Sequence, residues 1–419
     1  MIVYKFGGAS VKDAEGVENL RNILSAENEA RIIVVSAFGK TTNNLEEITG
    51  AIYDRDGLNF QDHFKKLRDY HYSILKRLFK RHEKIYGEVD ALFDSINRAF
   101  SDKWTHYDRL YDHIVSIGEI LSTKIICAYL NVSGLHCRWI DMRENLITDA
   151  VFREAGVDWE RSRKKIRKNF VPGGDEVIIT QGFIGGTSRG ASTTLGREGS
   201  DYSAAILANM LNATKLVVWK DVPGVMNADP RYFSNACKLE RISFQEAIEL
   251  AYYGAKILHP KTIKPLQNKS IPLYVKSFLE PDHEGTLITD YERYDEDKPI
   301  YILKTDQILI SVLPRDFSFV FEATLSKIYS LFAKYRIKIN LVQNSAINFT
   351  FCADANNQGI FQLIDDLKED YRVLYNKGLE LLTIRHYTEQ ILQEVQKGRR
   401  ILVEQRSRHT AQFLMEEES

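Results

Sequence analysis

The sequence predicts an α/β fold with a mostly parallel central sheet, followed by smaller ferredoxin-like units. Three observations carry this prediction. Short apolar runs recur at residues 2–6, 31–35, 177–179, 215–219 and 271–276, each passing into a polar segment and most of them then into a helical pattern. Six of the 24 glycines fall within residues 182–199, directly after one such run. Beyond residue 299 the spacing shortens to strand, helix, two strands, helix, strand.

Residues 2–6 form a strand that runs into Gly7-Gly8-Ala9-Ser10, and residues 14–24 have helical spacing. Residues 31–35 (RIIVV) repeat the arrangement and end at SAFGKTTN. Gly39-Lys40-Thr41 is not a P-loop, because the motif needs glycine at position 34 and Val34 is there. Residues 59–111 are charged, aromatic and helical in spacing, without proline. Strand 137–140 ends at Asp141. The run at 177–179, the glycine- and hydroxyl-rich segment and a helix over 203–213 form strand, loop and helix N-terminus, a common way to hold phosphate. The other reading of that segment is a long flexible loop. Strand 215–219 turns at Pro223-Gly224 and Asp229-Pro230, residues 242–258 are helical, and His259 reads as structural. The acidic segment 290–299 is a domain boundary. Residues 308–375 then read as one βαββαβ unit, and 379–415 as a compressed second copy. That copy lacks its last helix and strand, and needs strands from elsewhere in the chain or another subunit.

Composition narrows the partners. Lys plus Arg (56) balances Asp plus Glu (57), so nothing demands nucleic acid or an anionic membrane. No apolar run approaches a membrane span, and MIVYKFGGAS lacks a signal-peptide pattern. Four cysteines without CxxC spacing read as buried thiols of a cytoplasmic protein, and no side-chain metal site is expected.

KFGGAS at Lys5, VVSAFGKTTN at Val34, GFIGG at Gly182, TTLGREGSDYSAA at Thr193, DVPGVMNADPR at Asp221 and YGAKILHP at Tyr253 resemble, in order and spacing, the signatures of the aspartate kinase family. The terminal portion resembles that family's paired ACT-type domains. The resemblance implies an amino-acid-kinase three-layer sandwich (1–289), a first ACT-like domain (299–378) and a truncated second unit (379–419). It implies phosphorylation of the L-aspartate side-chain carboxylate by ATP, the first step towards lysine, threonine and methionine. Mg2+ would be held mainly through ATP oxygens. Lys5, Asp201 and Lys256 would be catalytic. Ser36, Thr42, Glu119, Phe183, Arg197 and Ser200 would bind aspartate, with Arg197 on the α-carboxylate and Glu119 on the α-amino group. Gly7, Gly8, Asp221, Gly224, Asp229 and Arg231, with Lys5 and Lys256, would bind ATP. An amino-acid effector at the ACT-type units and a homodimer or higher homo-oligomer through them are also implied.

Taken singly, Lys5 reads as a solvated strand residue, Asp201 as a helix-capping acid and Arg197 as a surface charge. The sequence departs from the family pattern at Ala9 (usually Thr), Glu198 (usually Gly), Lys220 (commonly Thr) and Met226-Asn227 (commonly Tyr-Thr). Two rivals are a kinase for glutamate or uridine monophosphate, and an amino-acid sensor with a silenced kinase domain.

Overall fold

The computed structural model describes residues 1–416 except 27, 28, 30, 82, 256, 257, 291–297, 317 and 318. The chain divides into two units. The first comprises Met1–Val225, Lys238–Ala251 and Lys256–Tyr294; the second comprises Met226–Cys237, Tyr252–Ala255 and Asp295–Ser419. Residues 226–237, expected in the catalytic unit, group with the C-terminal one.

The first unit opens with β1 (Ile2–Phe6), α1 (Ala14–Ser25), β2 (Arg31–Val35) and α2 (Thr41–Tyr53). The charged aromatic stretch then breaks into α3 (Gly57–Leu78), α4 (Ile85–Ser101) and α5 (Tyr107–Val132). Next come β3 (Cys137–Ile140), α6 (Met142–Asn145), β4 (Ile147–Thr148), α7 (Trp159–Asn169) and β5 (Val177–Gln181). The glycine-rich stretch supplies β6 (Ile184–Thr187), β7 (Ser192–Thr194) and the start of α8 (Gly199–Leu211). It is thus an ordered hairpin and helix start. The unit ends with β8 (Lys215–Lys220), β9 (Arg241–Ser243), α9 (Phe244–Tyr253), α10 (Pro260–Gln267), β10 (Leu273–Ser277) and β11 (Thr286–Thr289).

Eight strands form one sheet, ordered β3-β5-β2-β1-β8-β10-β11-β9, in which only the β10–β11 pair is antiparallel. Strand alternation sorts its faces. Tyr4, Phe6, Val35 and Trp219 join the core beneath helices α1 to α5. Lys5 points to the opposite face, where α8 lies against β1. Helix α5 is long and apolar enough to cross a membrane, but 78% of its apolar window is buried; it is a core helix.

The second unit is built on a six-stranded antiparallel sheet, ordered β13-β14-β12-β15-β17-β16. Its elements are β12 (Ile300–Pro314), α11 (Glu322–Lys334), β13 (Ile339–Asn344), β14 (Phe349–Asp354), α12 (Ile360–Asp370), β15 (Tyr371–Arg385), α13 (Glu389–Gln396), β16 (Ile401–Arg406) and β17 (Thr410–Glu416). Strands β12 and β15 each serve two ferredoxin-like halves. Gln307–Pro314 pairs with Tyr371–Leu379 in the first half, and Ile300–Lys304 pairs with Leu381–Arg385 in the second. The missing fourth strand of the second copy is therefore Ile300–Lys304, supplied by this chain. A register shift between Lys304 and Gln307, with Asp306 at φ 54°, separates the two uses. Phe233 stacks on Tyr301 at 5.3 Å beside the core of Leu382, Ile384, Leu392 and Phe413, and this contact ties segment 226–237 to the second half.

Candidate active site

Lys5 sits mid-strand, opposite Val34 of β2 and Val218 of β8, and is 7% exposed. Its Nζ lies 2.5 Å from Asp201 Oδ1. Asp201 occupies the first turn of α8, where the helix dipole favours an anion. Its second oxygen faces Lys220 Nζ at 3.6 Å. Burial alone would raise the Asp201 carboxyl, but the ammonium groups of Lys5 and Lys220 outweigh it and hold the group below its ordinary value. The reading of Lys5 as a solvated residue is overturned: α8 covers that face of the sheet.

Beside β1, Gly7 and Gly8 turn the chain. A Cβ on Gly8 would lie 2.6 Å from the Ala37 carbonyl, and one on Gly7 would lie 3.5 Å from Lys5 Nζ. The β2 exit is held by Ser36 N donating to Phe6 O (3.2 Å) and Gly39 N donating to Gly8 O (2.9 Å). Ser122 Oγ donates to Ser36 O. These bonds bind the two glycine-bearing strand ends into one cradle.

Glu119 reaches the same cradle from α5. It is 2% exposed, and its Oε1 accepts from Ala37 N at 3.4 Å. Its Oε2 is buried with no partner among the described residues, and burial pushes its carboxyl up to about 8. Thr41 Oγ is also buried and, among the described residues, unpartnered, whereas Thr42, the hydroxyl singled out from sequence, is half-buried. Orphaned buried polar atoms at a cradle are expected of groups that await a ligand.

The loop before α8 carries Arg197 and Glu198, both exposed, and the first turn of α8 carries the buried Ser200. Glu198 is the N-cap of α8, has φ 54° and makes no side-chain cap. This left-handed conformation explains glycine at that position in the family pattern. Phe183 also has positive φ (68°), and its N donates to Ser203 Oγ. A Cβ on Gly199 would meet the Phe183 ring at 2.7 Å, and one on Gly182 would meet Ser200 at 2.6 Å. These glycines let α8 close onto the β5–β6 turn. Gly185 and Gly186 pack closely on the preceding segment; a Cβ there would strike Leu146 O at 2.9 Å or Arg143 O at 2.2 Å.

One residue was missed by sequence reading. Asp112, wholly buried on α5, accepts from Arg153 N at 3.0 Å, Thr194 N at 2.9 Å and Thr194 Oγ at 2.7 Å. Burial pushes its carboxyl up to about 6 against these hydrogen bonds. It pins the segment leading to Arg197 onto the helix that carries Glu119. The available signal was its spacing: seven residues before Glu119, it falls on the same helix face.

On the expected nucleotide side, Asp221 is exposed. Gly224 has its place set by packing, since a Cβ would lie 2.5 Å from Thr286 Oγ1. Asp229 and Arg231 belong to the second unit and pair with each other at 2.6 Å. Lys256 lies outside the described residues.

Residues 1–277 match the amino acid kinase family model. Lysine-sensitive aspartokinase 3 of Escherichia coli is 32% identical over 399 residues, covering 92% of this chain and 86% of that protein. The chain belongs to the aspartokinases of the amino acid kinase family. Chloroplastic aspartokinase 1 of Arabidopsis thaliana is 32% identical, covering 91% of this aspartokinase and 70% of that protein. The crystal structure of E. coli aspartokinase III with lysine and aspartate superposes with a TM-score of 0.84 at 27% identity, covering 99% of this chain and 95% of that one. The three-layer kinase fold and ACT-type sheet expected from sequence agree with these aspartokinase structures.

Proposed function

We propose that this chain transfers the γ-phosphoryl group of ATP to the side-chain carboxylate of L-aspartate, giving 4-phospho-L-aspartate and ADP. The observation that carries the reading is the buried Lys5–Asp201 pair beside two glycine strand ends, with the unpaired Glu119 carboxylate in the same cradle. Support also comes from the lysine- and aspartate-bound aspartokinase III above and from a second structure of that protein, with aspartate and ADP, at a TM-score of 0.82.

An ionised carboxylate is already a nucleophile, so no general base is required. Its oxygen forms the new O–P bond as the bond from phosphorus to the β,γ-bridging oxygen breaks, and the electron pair leaves with ADP. The protein's task is placement and charge. Lys5 supplies a cation, Asp201 fixes it, and the backbone N–H groups at Gly7 and Gly8 supply donors. Glu119 takes the substrate ammonium and Arg197 its α-carboxylate; Ser36, Thr42, Phe183 and Ser200 shape that pocket. Asp221, Gly224 and Lys256 of the first unit serve the nucleotide. Mg2+ would enter on ATP oxygens as part of the nucleotide substrate.

An amino-acid effector would act at the six-stranded sheet. Phe319, Phe321, Phe361 and Tyr375, exposed on its first half, support a homodimer or higher homo-oligomer through that unit. The chain would act in the cytoplasm. ADP release measured with aspartate, glutamate and uridine monophosphate tests the acceptor. Turnover with aspartate alone is expected; turnover with another acceptor in its place would overturn the reading.

A further inference from the structure

Gly39-Lys40-Thr41 is not a P-loop, yet Gly39 is tightly placed. It has φ 51°, and a Cβ there would lie 2.7 Å from the Tyr70 hydroxyl and 3.5 Å from Lys12 Cβ. Conformation and packing both demand glycine at this point. Tyr70 comes from α3, and its hydroxyl donates to Lys12 O, in the turn that follows β1. Gly39 N in turn donates to Gly8 O at 2.9 Å. Tyr70 is half-buried; burial, with the Asp13 carboxylate adding to it, pushes its phenol up to about 12, so the group stays a donor. Its neighbour on α3 holds the preceding residue of the loop. The His71 ring lies 5.9 Å from that of Phe38, and both side chains are wholly buried. Further along the same helix, His63 O accepts from Asn44 Nδ2, in the first turn of α2, at 3.0 Å.

The two glycine-bearing strand ends are thus fastened twice. Gly39 bonds Gly8 directly, and the Tyr70 hydroxyl, packed on Gly39, bonds Lys12. We propose that Tyr70 is a positioning residue of the phosphoryl-transfer cradle: its hydroxyl ties the turn after β1 to the loop after β2, and so fixes the peptide groups of Gly7 and Gly8. It acts through Gly39 and Lys12 rather than on a substrate. A cradle of backbone N–H groups works by being set before the phosphoryl group arrives, so a loosened turn costs rate. The effect belongs to turnover, because the α-ammonium and α-carboxylate of aspartate are assigned to Glu119 and Arg197, on α5 and before α8. The inference rests on the phosphotransferase reading above.

Initial rates of ADP release with ATP and L-aspartate test it, using the full chain, Tyr70→Phe, Tyr72→Phe, Gly39→Ala and Gly39→Ala/Tyr70→Phe. Tyr70→Phe keeps the ring and loses only the hydroxyl. It is expected to lower kcat roughly fivefold while leaving the KM for aspartate within about twofold. Tyr72, two residues on, donates its hydroxyl to Asp90 of α4. Tyr72→Phe therefore takes a comparable bond from the same helix and should keep wild-type kcat. Gly39→Ala should also be slow, since the added Cβ meets the Tyr70 hydroxyl. Removing that hydroxyl makes room for it, so the double variant should be no slower than Gly39→Ala alone. Wild-type kcat in Tyr70→Phe, equal slowing by Tyr72→Phe, or losses that multiply in the double variant would each overturn the role. If Gly39→Ala fails to fold, the two Phe variants decide alone. An inactive wild-type chain would contradict the proposed function itself, whereas an active wild type with an unaffected Tyr70→Phe variant contradicts only the part given to Tyr70.

Discussion

At the scale of single residues, the active-site lysine is also a structural one. Lys5→Ala would remove the site cation and leave Asp201 buried with, among the described residues, the more distant Lys220 as its cation. Breaking a buried pair from one side costs about 3 kcal/mol. The expected outcome is loss of turnover together with a lower unfolding midpoint, and Lys5→Ala/Asp201→Ala should recover part of the stability without recovering activity. Glu119 gives a pH signature. Its carboxyl is pushed up to about 8 from an ordinary 4.5, so the folded state holds a proton that the unfolded state releases. The stability this confers is full below about pH 4.5 and is lost as pH rises towards 8. Glu119→Gln should therefore be more stable than wild type above pH 8, and denaturant melts at pH 6 and pH 8.5 check the sign. The charged form receives the substrate ammonium, so the wild-type KM for aspartate should fall as pH rises from 6 to 8, and the Gln variant should lose that slope. Glu198, with φ 54° and no cap, is strained. Glu198→Gly should stabilise the fold by about 1 kcal/mol, read as a raised thermal midpoint.

At the scale of elements, α5 couples two tasks: Glu119 faces the cradle, and two turns earlier Asp112 grips Thr194 and Arg153. Asp112→Ala would leave those buried donors unsatisfied, at about 2 kcal/mol or more, and would loosen the segment leading to Arg197. A higher KM for aspartate with a smaller change in kcat is expected from steady-state rates. This scale also shows what the sequence made legible. Buried strands such as RIIVV and KLVVW announced themselves, because both faces of a parallel strand are covered and the run is continuously apolar. Lys5 read as solvated because the helix covering it, α8, lies nearly two hundred residues away. The pairing of Ile300–Lys304 with Leu381–Arg385 was equally hidden, since no local pattern encodes so distant a partner. The positive φ of Glu198 was legible only as a departure from glycine. The glycines at 185 and 186 stood out, but their cause, close packing on residues 143–148, required the fold.

At the scale of the whole molecule, the second unit is a permuted pair of ferredoxin-like halves threaded on two shared strands. Truncation after residue 378 would cut β15 midway, strip Ile300–Lys304 of its partner and remove the core around Leu382, Ile384 and Phe413. Such a chain should aggregate or lose its second unfolding transition, whereas a fragment starting at residue 295 should fold, by circular dichroism and calorimetry. The first unit gathers its Lys5–Asp201 ion pair, glycine turns and the Glu119 carboxylate at the ends of neighbouring parallel strands, the usual place for ligands in such sheets. That gathering suits the making of an acyl phosphate on the aspartate side chain. Turnover of ATP and L-aspartate in hydroxylamine, with the product identified by mass spectrometry, tests it most directly. Aspartate β-hydroxamate is expected, absent with Lys5→Ala; no hydroxamate from the folded wild-type protein, or hydroxamate at the α-carboxyl, would rule this chemistry out.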